Sequence, residues 1–170
     1  ASNNIAIGVD ALRANTTGTA NVVVGTYALD ANTTADNNTV VGYTAMTINT
    51  TGANNVAVGL SALANNTTAH YNTAVGYQAV YTNSTGAENT GVGHNVLLAN
   101  TTGAGNTAVG SYALDANSTA DYNTAVGYAA LTTNATSTGN VAVGYQALFT
   151  NAAANNTAVG YNALVLNTTG

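Results

Sequence analysis

The same order of apolar and polar segments recurs along this chain every 17 residues. Each period holds a short apolar segment that ends in Val-Gly or Ile-Gly, a second apolar pair of the Ala-Leu type, and a polar stretch close to Asn-Thr-Thr-Gly. A short period held along a whole chain is typical of a stacked solenoid, and it is not typical of a globular enzyme domain. The glycines of the first segment mark the register, with eight spacings of 17 and a last one of 16: Gly8, Gly25, Gly42, Gly59, Gly76, Gly93, Gly110, Gly127, Gly144 and Gly160.

The apolar segments are too short for helices and have β-strand propensity, as in residues 73–77. The Asn-Thr-Thr-Gly stretch has turn chemistry, because Asn and Thr side chains bond their own backbone and Gly permits a positive φ. One period therefore predicts one coil. We expect an all-β fold, a parallel β-solenoid (β-roll) with one 17-residue repeat per coil and about ten coils. At about 4.8 Å per coil, the rod section is on the order of 48 Å long.

Two columns of asparagine run through the repeat, which we number from its first Asn. In a stacked solenoid each Asn lies above the next, so the side-chain amides can form a ladder along the axis. For position 12 the alternative is simple turn chemistry. Position 1 is Asn4, Asn21, Asn38, Asn55, Asn72, Asn89, Asn106, Asn123, Asn140 and Asn156. Position 12 is Asn15, Asn32, Asn49, Asn66, Asn83, Asn100, Asn117, Asn134, Asn151 and Asn167.

Position 12 also begins an Asn-x-Ser/Thr sequon in every copy except Asn151. In a host that glycosylates Asn, the rod would carry one sugar per coil. The alternative is a bare, hydrogen-bonded turn, which we favour because Asn151 keeps its Asn after losing the sequon. The sequon row is Asn15, Asn32, Asn49, Asn66, Asn83, Asn100, Asn117, Asn134 and Asn167.

Both faces of the first strand are apolar, since Ala74 and Val75 point in opposite directions. A strand that is apolar on both faces is usually buried on both, and one thin coil cannot cover both. We therefore expect self-association, most simply as a homotrimer or fibre. Val75, Leu148 and their equivalents should be buried inside one chain or between chains.

The repeats form one array over residues 1–170, which we expect to be a segment of a longer fibre. Residues 25–36 (GTYALDANTTAD) and 110–121 (GSYALDANSTAD) indicate an older duplication of five coils, with blocks at 4–88 and 89–170. The single 16-residue step predicts a shortened turn near residues 152–154 with the strands still in register.

The segments NVAVG (residues 55–59 and 140–144) and NIAIG (residues 4–8) resemble the head repeats of YadA-like trimeric autotransporter adhesins. The chain is also similar to the N-T-A-V-G-Y-x-A-L repeats of some phage tail-fibre proteins. The adhesin resemblance implies a left-handed parallel β-roll, three chains side by side, and a surface that binds host matrix. The family coil is shorter than the 17 residues found here.

Charge is scarce: 4% of residues are charged, with one basic residue and six acidic ones. Nucleic acid and anionic membrane surfaces are excluded as partners, because no cationic surface can neutralise phosphates. No apolar run reaches the roughly 20 residues of a membrane span. We expect an extracellular location, on a cell surface or a virion, and partners such as cell-surface carbohydrate or matrix protein.

Candidate chemistry is sparse, and we predict no enzyme activity, metal or cofactor. His70 and His94 occupy repeat positions 16 and 6 and should lie apart. Ser residues lack His-Asp partners, and no facing carboxylate pair for glycoside cleavage is evident. The pairs Asp30/Asp36 and Asp115/Asp121 have calcium-like alternation but lack the Gly and the Glu of a calcium loop, so turn formation is the alternative.

Tyrosine recurs at position 6, either as a packing ladder or as a strip for stacking carbohydrate. Its members are Tyr43, Tyr77, Tyr128, Tyr145 and Tyr161. Taken together, the sequence predicts a structural fibre or shaft segment with a spacer or adhesive role. The alternatives are a carbohydrate-binding or an ice-binding solenoid. Ice binding is disfavoured because the paired Thr residues are adjacent and so point to opposite faces.

Overall fold

A computed structural model describes residues 2–169, which form strands, turns and bends with no helix among them. Ten three-residue strands each begin one residue after a position-1 Asn, and two two-residue strands form a second, small sheet. The strands are β1 Ile5–Ile7, β2 Val22–Val24, β3 Thr39–Val41, β4 Val56–Val58, β5 Thr73–Val75, β6 Thr90–Val92, β7 Thr107–Val109, β8 Thr124–Val126, β9 Val141–Val143, β10 Thr150–Asn151, β11 Thr157–Val159 and β12 Leu166–Asn167.

The ten long strands form one parallel sheet in chain order, β1 to β9 and then β11. Each strand pairs with its copy one repeat away, as in Thr73↔Thr90 and Val75↔Val92. The predicted all-β parallel solenoid with one 17-residue repeat per coil and about ten coils is confirmed. We number the coils 1 to 10 from their position-1 Asn, so that coil 1 begins at Asn4.

Three apolar side chains per coil fill the interior. In coil 5 these are Ala74, the middle residue of the strand, and Ala79 and Val80 from the following bend, all with 0% of their surface exposed. Leu148 of coil 9 is likewise buried, as the sequence predicts. Val75 instead lies on the outer side of the sheet and is only half-buried in the single chain. The interior is therefore narrower than a Val-based strand core, because the inward strand residue is mostly Ala.

The bend after each strand places ordinary residues in the left-handed region of φ. Gln78 and Val80, at positions 7 and 9 of coil 5, have φ of 49° and 53°. Such conformations cost roughly 1–2 kcal/mol per residue, and Val80 is β-branched, which adds to the strain. The backbone N–H of Gln78 donates to the Leu60 carbonyl at 2.9 Å, and that of Val80 donates to the Val96 carbonyl at 2.9 Å. Hydrogen bonds to neighbouring coils thus hold a bend that one isolated coil would not adopt.

Coil 9 contains the 16-residue step, and the shortened turn lies where the sequence predicts it. Asn134 donates to the Ser137 carbonyl three residues on, whereas Asn151 donates to the Ala153 carbonyl two residues on. Strand β11 still pairs with β9 in register, Thr157↔Val141. The missing residue is therefore absorbed by the turn, and the sheet is undisturbed.

The position-5 glycines are required by a close approach between coils. Gly76 has φ +139°, and a Cβ on it would collide with the Gly93 carbonyl oxygen of the next coil. Gly160, in the last coil, has nearly the same φ of +134°, but a Cβ there meets only the Ala163 Cβ at 3.8 Å. The two positions share their backbone conformation and differ in whether a coil lies above them.

We expect Gly76→Ala to lower the free energy of unfolding by about 3 kcal/mol or more, because strain and a backbone collision combine. Gly160→Ala should cost about 1 kcal/mol, which corresponds to strain alone. Thermal unfolding followed by circular dichroism measures both. Equal losses in the two variants would show that the contact between coils is not what selects Gly.

Candidate functional surfaces

In coils 1 to 4, 6 and 7, two side-chain amides close the coil by donating to the same carbonyl. In coil 3 the Nδ2 groups of Asn38 and Asn49, positions 1 and 12, both donate to the Gly52 carbonyl at 3.0 Å. Coil 6 repeats the arrangement, with Asn89 and Asn100 on the Gly103 carbonyl at 2.8 and 2.9 Å. We call this arrangement the Asn clasp. It ties the strand to the turn within one coil and gives both Asn columns a role beyond turn formation.

The Oδ1 atoms of the clasp face the following coil. The backbone N–H of Asn55 donates to Asn38 Oδ1 at 3.0 Å, and Asn66 Nδ2 donates to Asn49 Oδ1 at 2.9 Å. A buried amide whose partners are all present stabilises the fold, whereas an unpaired one costs about 1–3 kcal/mol. The position-12 column is interrupted after Asn117, whose Oδ1 has no partner within residues 2–169.

Burial of the clasp bears directly on the sequon row. The position-12 side chains from Asn32 to Asn134 are 0% exposed, and Asn15 and Asn167, at the two ends, are partly exposed. A glycan is attached to Nδ2, the atom that each clasp uses as its donor. Asn151, which lacks a sequon, occupies the same place and is 4% exposed. The geometry therefore favours the bare turn at the central coils.

The outer face of the ten-stranded sheet carries a continuous apolar stripe. It consists of the position-4 side chains, and its central members are about one-third exposed, for example Val92 at 36% and Val109 at 38%. The neighbouring position-2 column holds mainly Thr and Val, such as Thr107 and Val56. Nine strand spacings of about 4.8 Å make the stripe roughly 43 Å long. Monomeric proteins rarely expose an apolar surface of this extent, and such surfaces mark interaction sites.

Aromatic rings form a second column on the bend side of each strand. His94 stacks on Tyr77 at a centroid distance of 5.2 Å and an interplanar angle of 12°. Tyr145 stacks on Tyr128 and on Tyr161 at 5.5 and 5.1 Å. Tyr128 and Tyr161 are nevertheless 48% and 76% exposed. The rings therefore pack along the rod and also present an aromatic surface to solvent.

The remaining predicted site residues serve hydrogen bonding between coils. Asp36 Oδ1 accepts the backbone N–H of Thr19 at 2.6 Å, and Asp121 Oδ1 accepts that of Ala104 at 2.7 Å. His70, at the same repeat position, accepts the Ala53 N–H on Nδ1 at 2.9 Å. Position 16 thus caps the turn of the preceding coil. In Asp36 and Asp121, an oxygen that a calcium ion would need already accepts a backbone hydrogen bond.

Asp30 and Asp115 occupy the same repeat position but have different partners. Asp30 Oδ1 accepts the Thr47 hydroxyl at 2.8 Å, and its Oδ2 lies 3.5 Å from Arg13 Nη2. The residue equivalent to Thr47 is Thr132, whose hydroxyl donates instead to the Tyr112 carbonyl at 3.1 Å. Asp115 Oδ1 is consequently buried without a partner within residues 2–169.

The environment of Asp115 disfavours its charge. Desolvation by burial raises the pKa of its carboxyl above the ordinary 3.8, while the backbone N–H groups of Ala116 and of Asp115 itself act in the opposite direction. The sequence interpretation of Asp115 as half of a carboxylate pair missed this environment. The available signal was a difference between the two five-coil blocks, in which Ala129 and Phe149 of the second block stand in place of Thr44 and Ala64 of the first.

Comparison of the chain with family models, curated proteins and solved structures gave no match. Within residues 2–169, no three His, Cys, Asp or Glu side chains are grouped so that they could hold a metal ion. Over the same residues, no helix is long and apolar enough to cross a membrane.

Expression in a host that glycosylates Asn tests the burial of the clasp. We expect no glycan at Asn49 or Asn100, because both side chains are fully buried donors. The partly exposed Asn167 serves as the internal comparison. Glycopeptide mass spectrometry reads occupancy at each site, and sugar on Asn49 or Asn100 in folded protein would contradict the clasp.

Asp115→Asn should raise the melting temperature at pH 7. The folded-state pKa of Asp115 is raised, so the stability tied to its protonated form is present at low pH and is lost as the pH rises. Asn cannot ionise, so the advantage of the variant should shrink to nothing near pH 3. Asp30→Asn, whose carboxylate has partners, should give no gain at pH 7. A lower melting temperature for Asp115→Asn at pH 7 would show that the carboxylate is stabilising where it lies.

Proposed function

We propose that this chain is a non-enzymatic structural element, a segment of an extracellular fibre or shaft in which rods associate side by side through the apolar stripe. The observation that carries the proposal is the position of Val75 and its equivalents. These side chains lie outside the coil and yet remain apolar in all ten copies. A column of this kind has no function in a single rod, whereas a second rod packed against it would remove its surface from water.

The energetics of one coil support the same conclusion. The interior of coil 5 holds only Ala74, Ala79 and Val80, so each coil buries little apolar surface of its own. Burial of apolar surface contributes roughly 25 cal/mol per Å². Covering the outer stripe would therefore bury further apolar surface in every coil and would add stability that the thin interior does not provide.

The near absence of charge permits such packing. The chain carries a net charge of −5 over 170 residues, and Arg13 is its one basic residue. Copies that meet along an uncharged stripe experience neither like-charge repulsion nor the cost of burying ions. The number of rods is taken from the resemblance to trimeric adhesin heads, which implies three chains. In that arrangement the stripes face a common axis, and the aromatic columns and turns remain available for an adhesive role toward matrix protein or carbohydrate at a cell surface or virion.

Ice binding is the second candidate, and one observation favours it. The outer face presents Thr and Val on alternate residues in successive strands, as in Thr107 and Val109 of β7. The adjacent Thr pairs that weighed against ice binding in the sequence lie in the turns, and the strands provide a separate Thr-x-Val array. This function requires the stripe to be free in solution, whereas the fibre proposal requires it to be covered.

We expect the purified chain to have the mass of a trimer in light scattering. Val92→Lys combined with Val109→Lys places two charges on the stripe in adjacent coils and should yield monomers with unchanged β-sheet circular dichroism, because both side chains point outward. Thr85→Lys combined with Thr102→Lys adds the same charges at the same coil spacing in exposed turns and should leave the mass unchanged.

A stable, soluble monomer of the unaltered chain would overturn the fibre proposal. If that monomer also showed a gap between freezing and melting temperatures that the Val92→Lys, Val109→Lys variant lacks, the stripe would be an ice-binding face. Ala74→Asp is a check on the interior, because it buries an unpaired charge and should unfold the coils rather than separate intact rods.

A further inference from the structure

Side chains of coils 7 to 9 line an open cleft with a volume of about 330 Å³. It opens on the aromatic side of the rod, and Ala129 forms part of its lining. The other lining residues are Tyr112, Asp115, Tyr128, Thr132, Gln146 and Phe149. The volume is at the lower end of the range of roughly 300–1,000 Å³ found for small-molecule sites.

Residues at two variable repeat positions, 7 and 10, shape this cleft. In coils 3 and 4, position 7 is Thr44 and Ser61, whose hydroxyls are 2.9 Å apart and hydrogen-bonded. In coils 8 and 9 the same position is Ala129 and Gln146, so a small residue lies below a long one. Position 10 of coil 9 is Phe149, which contributes an aromatic wall. Three residues that line the hollow therefore differ from their counterparts in the first five-coil block, where Ala64 stands in place of Phe149.

The aromatic rings at the cleft meet edge to face rather than in parallel stacks. Tyr112 meets His94 at 76° and Tyr128 at 78°, as its counterpart Tyr27 meets Tyr43 at 76°. The stacked pairs of this column lie within about 12° of parallel. Tyr112 is at position 7, one residue later than most rings of the column, and this shift turns it relative to its neighbours. Three aromatic rings thus surround the hollow without filling it by stacking on one another.

One buried polar atom of the cleft lacks a partner among residues 2–169. Asp115 Oδ1 is buried with no hydrogen bond, because Thr132 donates to the Tyr112 carbonyl instead. Gln146 adds an amide that can donate and accept. An unpaired buried carboxylate oxygen is costly in a protein interior and is commonly explained by a ligand or by function. A hydroxyl-bearing ligand would provide the missing donors.

We propose that this cleft binds a neutral pyranose, the terminal sugar of an oligosaccharide. The C–H faces of such a ring fit aromatic faces, whose negative quadrupole attracts weakly positive hydrogens. Its hydroxyls would donate to Asp115 Oδ1 and exchange hydrogen bonds with the Gln146 amide. The Asp115 carboxylate repels the carboxylates of uronic and sialic acids. Arg13, the basic residue that could offset this repulsion, lies in coil 1, six coils or roughly 29 Å away. Binding at this site does not require the rods to associate.

Saturation-transfer NMR with the full chain tests the proposal, using methyl glycosides of glucose, galactose, mannose and N-acetylglucosamine as probes and glucuronic and sialic acids as anionic comparisons. We expect at least one neutral glycoside to bind, with a dissociation constant in the millimolar range or below that is measured by titration. Neither anionic sugar should bind.

The matched variant is Ala129→Thr combined with Gln146→Ser, which writes the residues of coils 3 and 4 into coils 8 and 9. The chain already folds with this pair at Thr44 and Ser61, so the variant should keep its circular dichroism and its mass in solution. Binding should fall at least tenfold because the variant removes the Gln146 amide and places a mutually bonded pair of hydroxyls beside the aromatic rings. Asp115→Asn should weaken binding about fivefold or more by removing the charged acceptor, and Asp30→Asn should leave it unchanged.

Binding that survives Ala129→Thr with Gln146→Ser would overturn the proposal, as would anionic sugars that bind as well as neutral ones or the failure of every neutral probe. The mass measurement on the same samples reports separately on the association of rods. A trimer that binds no sugar would remove the cleft proposal alone, and a monomer that binds sugar would remove the fibre proposal alone.

Discussion

Equivalent residues of successive coils lie directly above one another at the spacing of paired β-strands, so the nearest neighbour of most side chains is a copy of itself. A residue type can fill a column only if it interacts favourably with its own kind. Asn does so because its amide donates and accepts at once, and tyrosine does so by stacking. Lys or Glu in a column would place like charges about 4.8 Å apart, which is destabilising. This requirement accounts for a composition in which only 4% of residues are charged.

The same requirement explains how much of the fold is predictable from the sequence. A column needs one residue type at one spacing, so the period alone identifies the coil, the parallel strands and the turn that absorbs the 16-residue step near Ala153. The direction of the strand side chains is harder to predict, because Ala74 and Val75 are both apolar and either could be the core residue. The interior is narrow enough to prefer Ala, and this depends on the width of the coil rather than on the hydropathy of either residue.

The positive φ values at positions 7 and 9 could not be predicted from the sequence, for a related reason. Nothing about Gln78 or Val80 as residue types favours a positive φ, and Val disfavours it. The conformation is adopted because the carbonyls of Leu60 and Val96 lie where the N–H groups of these two residues can reach them. A preference that exists only between coils leaves no local signal in the sequence of one coil.

The regularity of the repeat made the candidate binding cleft hard to predict from the sequence. The regular positions specify the rod, so chemistry has to be sought at the positions that vary from coil to coil. Asp115 shows how little is needed, since its counterpart Asp30 has the same sequence context but is held by Thr47 and Arg13. In the second block Leu98 stands in place of Arg13, and the Thr132 hydroxyl donates to the Tyr112 carbonyl, so the Asp115 carboxylate is left with an open acceptor.

The Asn clasp also gives the rod an electrical direction. In the position-1 column, and in the position-12 column on either side of its break after Asn117, Oδ1 accepts from the coil that follows, as Asn38 does from Asn55 and Asn49 does from Asn66. The side-chain amide dipoles therefore add head to tail. Hydrogen bonds aligned in a chain polarise one another, and aligned amides in a helix are known to act as partial charges at the two ends. The rod should accordingly carry partial positive charge toward its first coil and partial negative charge toward its last. Rods packed in parallel would repel slightly at both ends and antiparallel rods would attract, so a parallel bundle must gain enough from its apolar contacts to outweigh its own dipoles.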